Sequence, residues 1–469
     1  MRPAGDDDHD TPARRGSGLG VAIVGMLLIA ATYGLARFGV GLFAPALAEA
    51  RPQLVAVLGW ASAAQFASYA LATTVAGRLV DRRPRLGLLL AGLTATTGCL
   101  GVAAAQEPVM FVLAVPVAGT GGGFASPALV PIIDAVVAPR LAATAQAVVN
   151  MGTSVGVVAT GLLSFSIAAP GQAWTIMAAV CAAIGVLAWA STCRRSEPAD
   201  RSAAGRPSRA NTSRENTSRE NTPRSWRTLA APAAAAVTVG AGSSLLWTFG
   251  PLIVTDAGLT GPDAVGWLWI ALGLGGSLGS ATGALVTRVG LRSAWCIGAV
   301  GVATASAALG VAAMTGTGWL APAAMGVFGA GYIGLSGVLI LWGRRAWPGT
   351  PGAATSVLFN ALATGQALGA AGFGMLLTPH GSALGPLALA GLAAGMSAAG
   401  GVLPALTDRV TVWRGRSSPS TLLRPAAHGT SQRKDGPEPG RRVSGPGPSA
   451  AQSPFSRYGT KVPWPDQYG

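Results

Sequence analysis

Arg37, in "YGLARFGVGLFAPAL" (residues 33–47), is the one charged side chain set inside a long apolar run between the two ends of the chain. A guanidinium carries a permanent charge and five donors but no acceptor, so in an apolar setting it calls for an anion or an oxygen-rich partner. Tyr33 precedes it by one helical turn on the same face and can flank whatever Arg37 holds. Other apolar runs carry single uncharged polar or amphipathic groups at similar depth: Gln65 and Tyr69, Asn150, Trp247, Tyr332 and Asn360. Each of these either contacts a solute or bonds one helix to another, and the sequence leaves both readings open. The same holds for Arg37, which either lines a cavity or reaches outward to the polar interface.

Little else in the chain can do chemistry. His9, His380 and His428 fall outside the apolar runs. Cys99, Cys181, Cys193 and Cys296 show neither a CxxC pair nor metal spacing, so no metal and no cofactor is expected. There is no Walker motif, which excludes ATP as a direct energy source. "GTGGGF" (119–124) and "GLGGSLGSATG" (273–283) are glycine-rich but follow no strand. They read as small-residue packing faces, with Gly275, Gly279 and Gly283 at four-residue spacing.

The elements that must position these residues are membrane spans. The chain has 469 residues, is 50% hydrophobic and only 11% charged, and has a mean hydropathy of +0.47. Runs near the roughly 20 residues that cross a bilayer recur along it. They lie near 19–45, 54–77, 86–105, 109–132, 142–167 and 172–191, then 229–253, 264–286, 293–313, 319–341, 352–377 and 384–405. That much apolar length cannot hide in a soluble core, so the expected fold is an all-α polytopic membrane protein of twelve spans.

Three segments stay outside the membrane. Residues 1–17 form a short charged tail. Residues 192–228 carry nine Arg against four acidic residues and include "NTSRENTSRENTPRS". Residues 407–469 carry ten basic against four acidic residues and are rich in Pro, Gly and Ser. Both longer segments lack apolar periodicity and are expected to be disordered. They hold much of the net charge of +15. No nucleic-acid recognition module accompanies that charge, so nucleic acid is not an expected partner and the lipid bilayer is. Arg14 and Arg15 before the first span, and "APALAEA" near its end, resemble a cleavable leader. The run is about twice the length of a leader's apolar region, so a retained first helix is expected.

Charge bias gives the orientation. With the amino terminus in the cytoplasm, inner loops hold Arg78, Arg82, Arg83, Arg85, Arg140, Arg288, Arg292, Arg344 and Arg345. Outer loops then hold only Arg51, beside Glu49, Glu107, Asp256 and Asp263. The positive-inside rule therefore puts both termini and the 192–228 linker in the cytoplasm. Trp267 and Trp269 are placed at the outer interface by the same count.

The two sets of six spans repeat one another. "GTGGGFASPALVPIIDAVVAPRLAATAQAVVNMGTSVG" (119–156) aligns with 329–369 at an offset of 210, matching Gly119 to Gly329, Gly121 to Gly331, Ser126 to Ser336 and Asn150 to Asn360. "GRLVDRRPR" (77–85) has a degenerate partner in "GALVTRVGLR" (283–292). Two six-helix bundles, 18–191 and 229–406, joined by a polar linker are the pattern of parallel-repeat secondary transporters.

Here the sequence resembles a known family. "G-x-L-x-D-R-x-x-R" at 77–85 looks like motif A of the major facilitator superfamily, with Pro84 where the family usually has Gly. "YGLARFGVGLFAPAL" and "PALVPIIDAV" (127–136) are similar to its bacterial cyanate-transporter-like and YbfB-like members. The resemblance implies a bacterial inner-membrane carrier, monomeric and working by alternating access. It also implies a conformational lock. Gly77 would let span two approach a neighbour, and Asp81, followed by Arg82, would meet the start of span eleven near Gly352. Arg85 would bridge Asp81 to Asp134, holding the protein outward-open.

Two functions of this fold compete. One is transport of a small polar or anionic solute through Arg37. The other is proton-coupled efflux of drugs, against which span five reads "GTSVGVVATGLL" without the antiporters' Gly-Pro pair. Span four, with "LAVPVAGTGG", also lacks their Arg. A membrane enzyme would need a cluster of acids and His, and none exists. No span places a carboxylate at mid-depth, so a proton at Asp134, plain facilitated diffusion and exchange all stay open as energetics.

Overall fold

The computed structural model describes residues 12–79, 83–166, 169–193, 226–348, 350–378, 381–382 and 384–416. Twelve helical spans, α1 to α12, follow in order. Span α1 is an α-helix over Pro12–Ile29 that widens into a π-helix over Ala30–Arg37 and ends in short helices Gly39–Leu42 and Ala44–Ala50. Next come α2 (Leu58–Leu79), α3 (Pro84–Ala104), α4 (Pro108–Val136), α5 (Pro139–Ser164) and α6 (Pro170–Cys193). In the second half α7 runs Arg227–Ser244, a π-helix Leu245–Phe249 and Gly250–Asp256. Then follow α8 (Gly266–Gly279, bent by 49° into Thr282–Val289), α9 (Leu291–Thr315), α10 (Leu320–Ala346), α11 (Pro351–Leu376) and α12 (Pro386–Arg416). Seven spans open on proline, which fits the first helical position because its missing N–H would have no partner there.

The helical ends reach further than hydropathy predicts. Helix α1 begins at Pro12, inside the segment read as a tail, and α12 runs on to Arg416, past the apolar stretch. Backbone bonding continues a helix into water, where no apolar pattern is needed. Residues 1–11, 194–225 and 417–469, which contain most of the expected disordered segments, lie outside the described residues.

By length and composition nine described spans can cross a bilayer, or ten with the bent α8 counted as one. The remaining two, α2 and α11, are diluted by polar residues and pack on each other. The halves mirror one another in their contacts: α2 on α4 and α8 on α10, α3 on α6 and α9 on α12, α1 on α5 and α7 on α11. Large apolar side chains such as Leu71, Leu113, Leu274 and Leu368 remain exposed, which only a lipid-facing surface accommodates.

We call the face bearing the starts of α1 and α7 basal, and the opposite face distal. The halves meet at their distal ends. A Cβ on Gly59 (α2) would collide with Gly374 (α11), and one on Gly161 (α5) with the backbone at Gly266 (α8). One on Gly41 (α1) would run into the carbonyl of Trp247 (α7). These glycines let backbones touch and close the distal side. Toward the basal side, Cβ atoms on Gly77, Gly283 and Gly352 would meet nothing within 4 Å, and Asp134 and Asn150 are exposed. The closest backbone approaches between the halves therefore lie distally, while Asn360 on α11 still bonds Thr74 on α2 toward the basal side.

Candidate functional site

The first span of each half loosens into a π-helix, and the two stretches correspond. Arg37 closes the first, and Trp247 lies in the second at the 210-residue offset of the repeat. A π-turn breaks the regular ladder and often marks a functional position. Here it turns Arg37 and Phe38 into the seam between the halves. Phe38 stacks on Trp247 with ring centroids 3.8 Å apart and planes 15° from parallel.

Arg37 is 5% exposed. It does not reach the outer interface. Its carbon Cζ sits 3.9 Å from the centroid of the Tyr69 ring, with the rings of Phe38, Phe66 and Tyr33 at 5.0, 5.3 and 5.5 Å. Aromatic faces attract a cation, more strongly when water is excluded. Among the described residues, the one polar bond of the guanidinium runs from Nη2 to Oε1 of Gln366 on α11, at 3.3 Å. Arg37 Nε and Gln366 Nε2 are buried without a partner among the described residues, and no carboxylate among them touches Arg37. The local excess is of donors, which is the deficit an anion would fill.

Around Arg37 the expected residues separate into two groups. Tyr33, Tyr69, Trp247 and Tyr332 gather there. Tyr33 Oη shares hydrogen bonds of 3.0 Å with Tyr69 Oη and with Ser126 Oγ on α4, and its ring lies over Gly122, where a side chain would not fit. Tyr332 packs edge-on to Trp247 at 5.3 Å and neighbours Gln366. Phe328 and Trp269 complete the wall around Trp247.

Gln65, Asn150 and Asn360 do not join them. Gln65 is buried and donates from Nε2 to the Val115 carbonyl on α4, at 3.3 Å, so it ties two helices of one half. Asn360 donates to Thr74 Oγ1 on α2 at 2.9 Å, about 9 Å basal of Gln366 by helical rise. Asn150, its repeat mate, is exposed and accepts from Gln146 Nε2 on its own helix. The bend in α8 breaks the symmetry, because its basal segment turns away before it can meet Asn150 as α2 meets Asn360.

Gln366, Phe38, Phe66 and Ser126 are the site residues that sequence reasoning missed. Gln366 carried the same signal as Gln65, an amide in the middle of a span. The aromatics carried none, since apolar rings in spans are ordinary.

Other expectations need correcting. Trp269 is fully buried against Trp247, while only Trp267, 60% exposed beside Phe165, faces outward. Two residues apart on a helix is about 200°, so the pair cannot share a face. Of the glycine stripe in α8, Gly275 and Gly279 pack on α10, but Gly283 lies past the bend, where a Cβ would meet nothing within 4 Å among the described residues. In the motif A region, Arg85 does not reach Asp134. Its Nη2 donates to the Thr192 carbonyl at the end of α6, at 3.1 Å. A Cβ on Gly77 would meet nothing within 4 Å among the described residues, and Asp81 and Arg82 lie outside them. A hollow of about 500 Å³ on the basal surface, lined by Thr228, Arg292, Trp342 and Arg345, is separate from the Arg37 cluster.

Paired six-helix repeats closed at one end around a buried polar centre define a multi-pass membrane transporter. The major facilitator superfamily model matches residues 26–370, and the chain belongs to that family. Solved structures with the same fold include a nucleoside transporter, NupG (12% identical, covering 83% of this chain and 99% of that one, TM-score 0.62). A D-xylose–proton symporter matches at 16% identity over 84% and 96%, with a TM-score of 0.61. A POT family transporter in complex with a thioalcohol-conjugated peptide matches at 10% over 84% and 96%, with a TM-score of 0.64. Among curated proteins none matches the sequence. The family moves small solutes rather than transforming them, so this chain is a transporter and not an enzyme.

Proposed function

We propose that the protein carries a small anionic solute across the bacterial inner membrane by alternating access, with Arg37 as the anion's principal ligand. The observation that carries this reading is the buried Arg37 guanidinium with a spare donor, no carboxylate and one amide oxygen for company. Buried charge without a counter-charge is costly, and intramembrane charges mark solute paths. The basal face, where Arg78, Arg83, Arg85, Arg288, Arg292, Arg344 and Arg345 cluster, is the cytoplasmic one under the positive-inside rule. On that orientation the side sealed by bare backbone is the outer one. The protein works as a monomer within the lipid bilayer.

The solved relatives are named for a nucleoside, a sugar and peptides, so likeness of fold selects no solute. Drug efflux is the competing reading, favoured by the rings of Tyr33, Phe38, Tyr69, Trp247, Phe328 and Tyr332 around the centre. The guanidinium among them repels cationic drugs. A thermal-shift screen of the detergent-purified protein against small anions and lipophilic cations, with Arg37→Gln in parallel, separates the two. Stabilisation by an anion that disappears in the variant supports the carrier. Stabilisation by cations that ignores the variant puts efflux first.

A further inference from the structure

We infer that Arg37 makes this transporter an obligatory exchanger: the empty protein is held in whichever open state it occupies until an anion neutralises the guanidinium. The inference rests on the anion reading above and goes on to the energetics of the cycle.

The argument starts from an inventory of charge. Every acidic residue between residues 20 and 410 falls in a loop, the linker or at a span end: Glu49, Asp81, Glu107, Asp134, Glu197, Asp200, Glu215, Glu220, Asp256, Asp263 and Asp408. None of them can accompany Arg37 at mid-depth, and no histidine lies in a span. Proton binding at the site therefore has no carboxylate or imidazole to use. The charge balance of the core is that of one guanidinium.

The second step is where its partners come from. The rings of Tyr33, Phe38, Phe66 and Tyr69 belong to the same half as Arg37 and travel with it. Gln366 belongs to the other half. Opening the distal side must part α2 from α11 at Gly59 and Gly374, and α1 from α7 at Gly41 and Trp247. Arg37 then loses the Gln366 oxygen. Between the two open states lies an occluded one, with water excluded on both sides and only the uncharged Gln366 oxygen to accept from the cation. Rings and one uncharged oxygen compensate a desolvated charge poorly. A bound anion supplies the missing charge and accepts from the spare Nε. The occluded state becomes passable only when loaded, so each crossing carries an anion and the return crossing needs another.

The test needs no knowledge of the solute. In the full chain with Cys99, Cys181, Cys193 and Cys296 replaced by alanine, a single cysteine is placed at Ser62, buried one turn from Gly59 on the closed distal side. The protein is reconstituted, solute-free, into phosphatidylethanolamine–phosphatidylglycerol vesicles, and molecules with the distal side outward are labelled with a membrane-impermeant maleimide. The parent protein is expected to label slowly. Arg37→Gln removes the charge, and Phe66→Glu puts a carboxylate beside it from the same half. Both should label at least about tenfold faster. Arg37→Lys keeps the charge and should stay slow. The exchange proposal is overturned if the empty parent labels as fast as Arg37→Gln, or if Arg37→Lys behaves like Arg37→Gln. Having two charge-neutral variants of opposite design guards against the misfolding of either, checked by gel filtration.

Addition of the anion that stabilises the purified protein should speed labelling of the parent. A parent that stays slow when empty, and that no anion either stabilises or speeds, overturns the anion reading and the exchange built on it. Fast labelling of the empty parent, with anion stabilisation intact, overturns exchange alone.

Discussion

Nη2 of Arg37 donates to Oε1 of Gln366 across 3.3 Å, joining α1 of one half to α11 of the other where the π-helix of α1 ends. Both side chains are buried, so this bond helps hold the distal side shut as well as positioning the guanidinium. A hydrogen bond to a charged group contributes about 1.5–3 kcal/mol, and this long one belongs at the low end. Gln366→Ala should therefore shift the population toward distal opening by about tenfold. The check is the rate of maleimide labelling of a distal cysteine at Ser62, measured with a saturating stabilising anion so that the core is charge-balanced. Unchanged labelling would show that the bond carries no weight in closure.

The Tyr69 ring lies nearest the cation, at 3.9 Å, and its hydroxyl meets Tyr33. These two roles separate by substitution. Tyr69→Phe keeps the ring face and loses the hydroxyl, so anion affinity should fall by no more than about threefold. Tyr69→Leu removes the face that holds the guanidinium, and affinity should fall about tenfold or more, at about 1–2 kcal/mol. Isothermal titration with the stabilising anion distinguishes them, and equal losses would point to the hydroxyl instead.

Much of this was legible in the sequence because membranes impose simple rules. Most of the twelve spans followed from apolar length, and Arg37 stood out because a charge there needs a reason. What escaped depended on which way a helix face turns. Trp267 and Trp269 share an interface in a count along the chain but not around a helix. Asn150 and Asn360 match in the repeat, yet only Asn360 meets the other half, because the bend in α8 has no counterpart in α2. Gln366 was as visible as Gln65, but nothing in the pattern says which of the two amides looks toward Arg37. Motif A showed its residues and not their partners, since those partners depend on which side of the protein is open.

Closure by bare backbone predicts a sharp steric effect. A Cβ on Gly41 would overlap the Trp247 carbonyl, where no side chain can yield. Gly41→Val should destabilise the distally closed state by about 1–3 kcal/mol, the usual penalty of overpacking. Transport in vesicles should fall at least tenfold, while distal labelling of Ser62→Cys rises. Gly77→Ala is the control, because that site has open space around it in this state. Normal distal closure in Gly41→Val would show that α1 and α7 separate more easily than their packing implies.

The Phe38–Trp247 stack offers the last test, because it links the two π-helical stretches directly. Phe38 is 4% exposed and its ring also lies 5.0 Å from the guanidinium carbon. Phe38→Ala should cost about 3–5 kcal/mol if the cavity stays empty, seen as a clear drop in melting temperature in detergent. Phe38→Leu keeps most of the volume and loses the stack, so its cost should be nearer about 1 kcal/mol. If the stack matters to function beyond stability, Phe38→Leu will weaken anion binding more than it lowers the melting temperature. Arg37 would then have lost the ring that helps hold it at the seam, although the fold around it survives. Parallel titration and melting curves on the two variants decide this, and proportionate losses in both would assign Phe38 to packing alone.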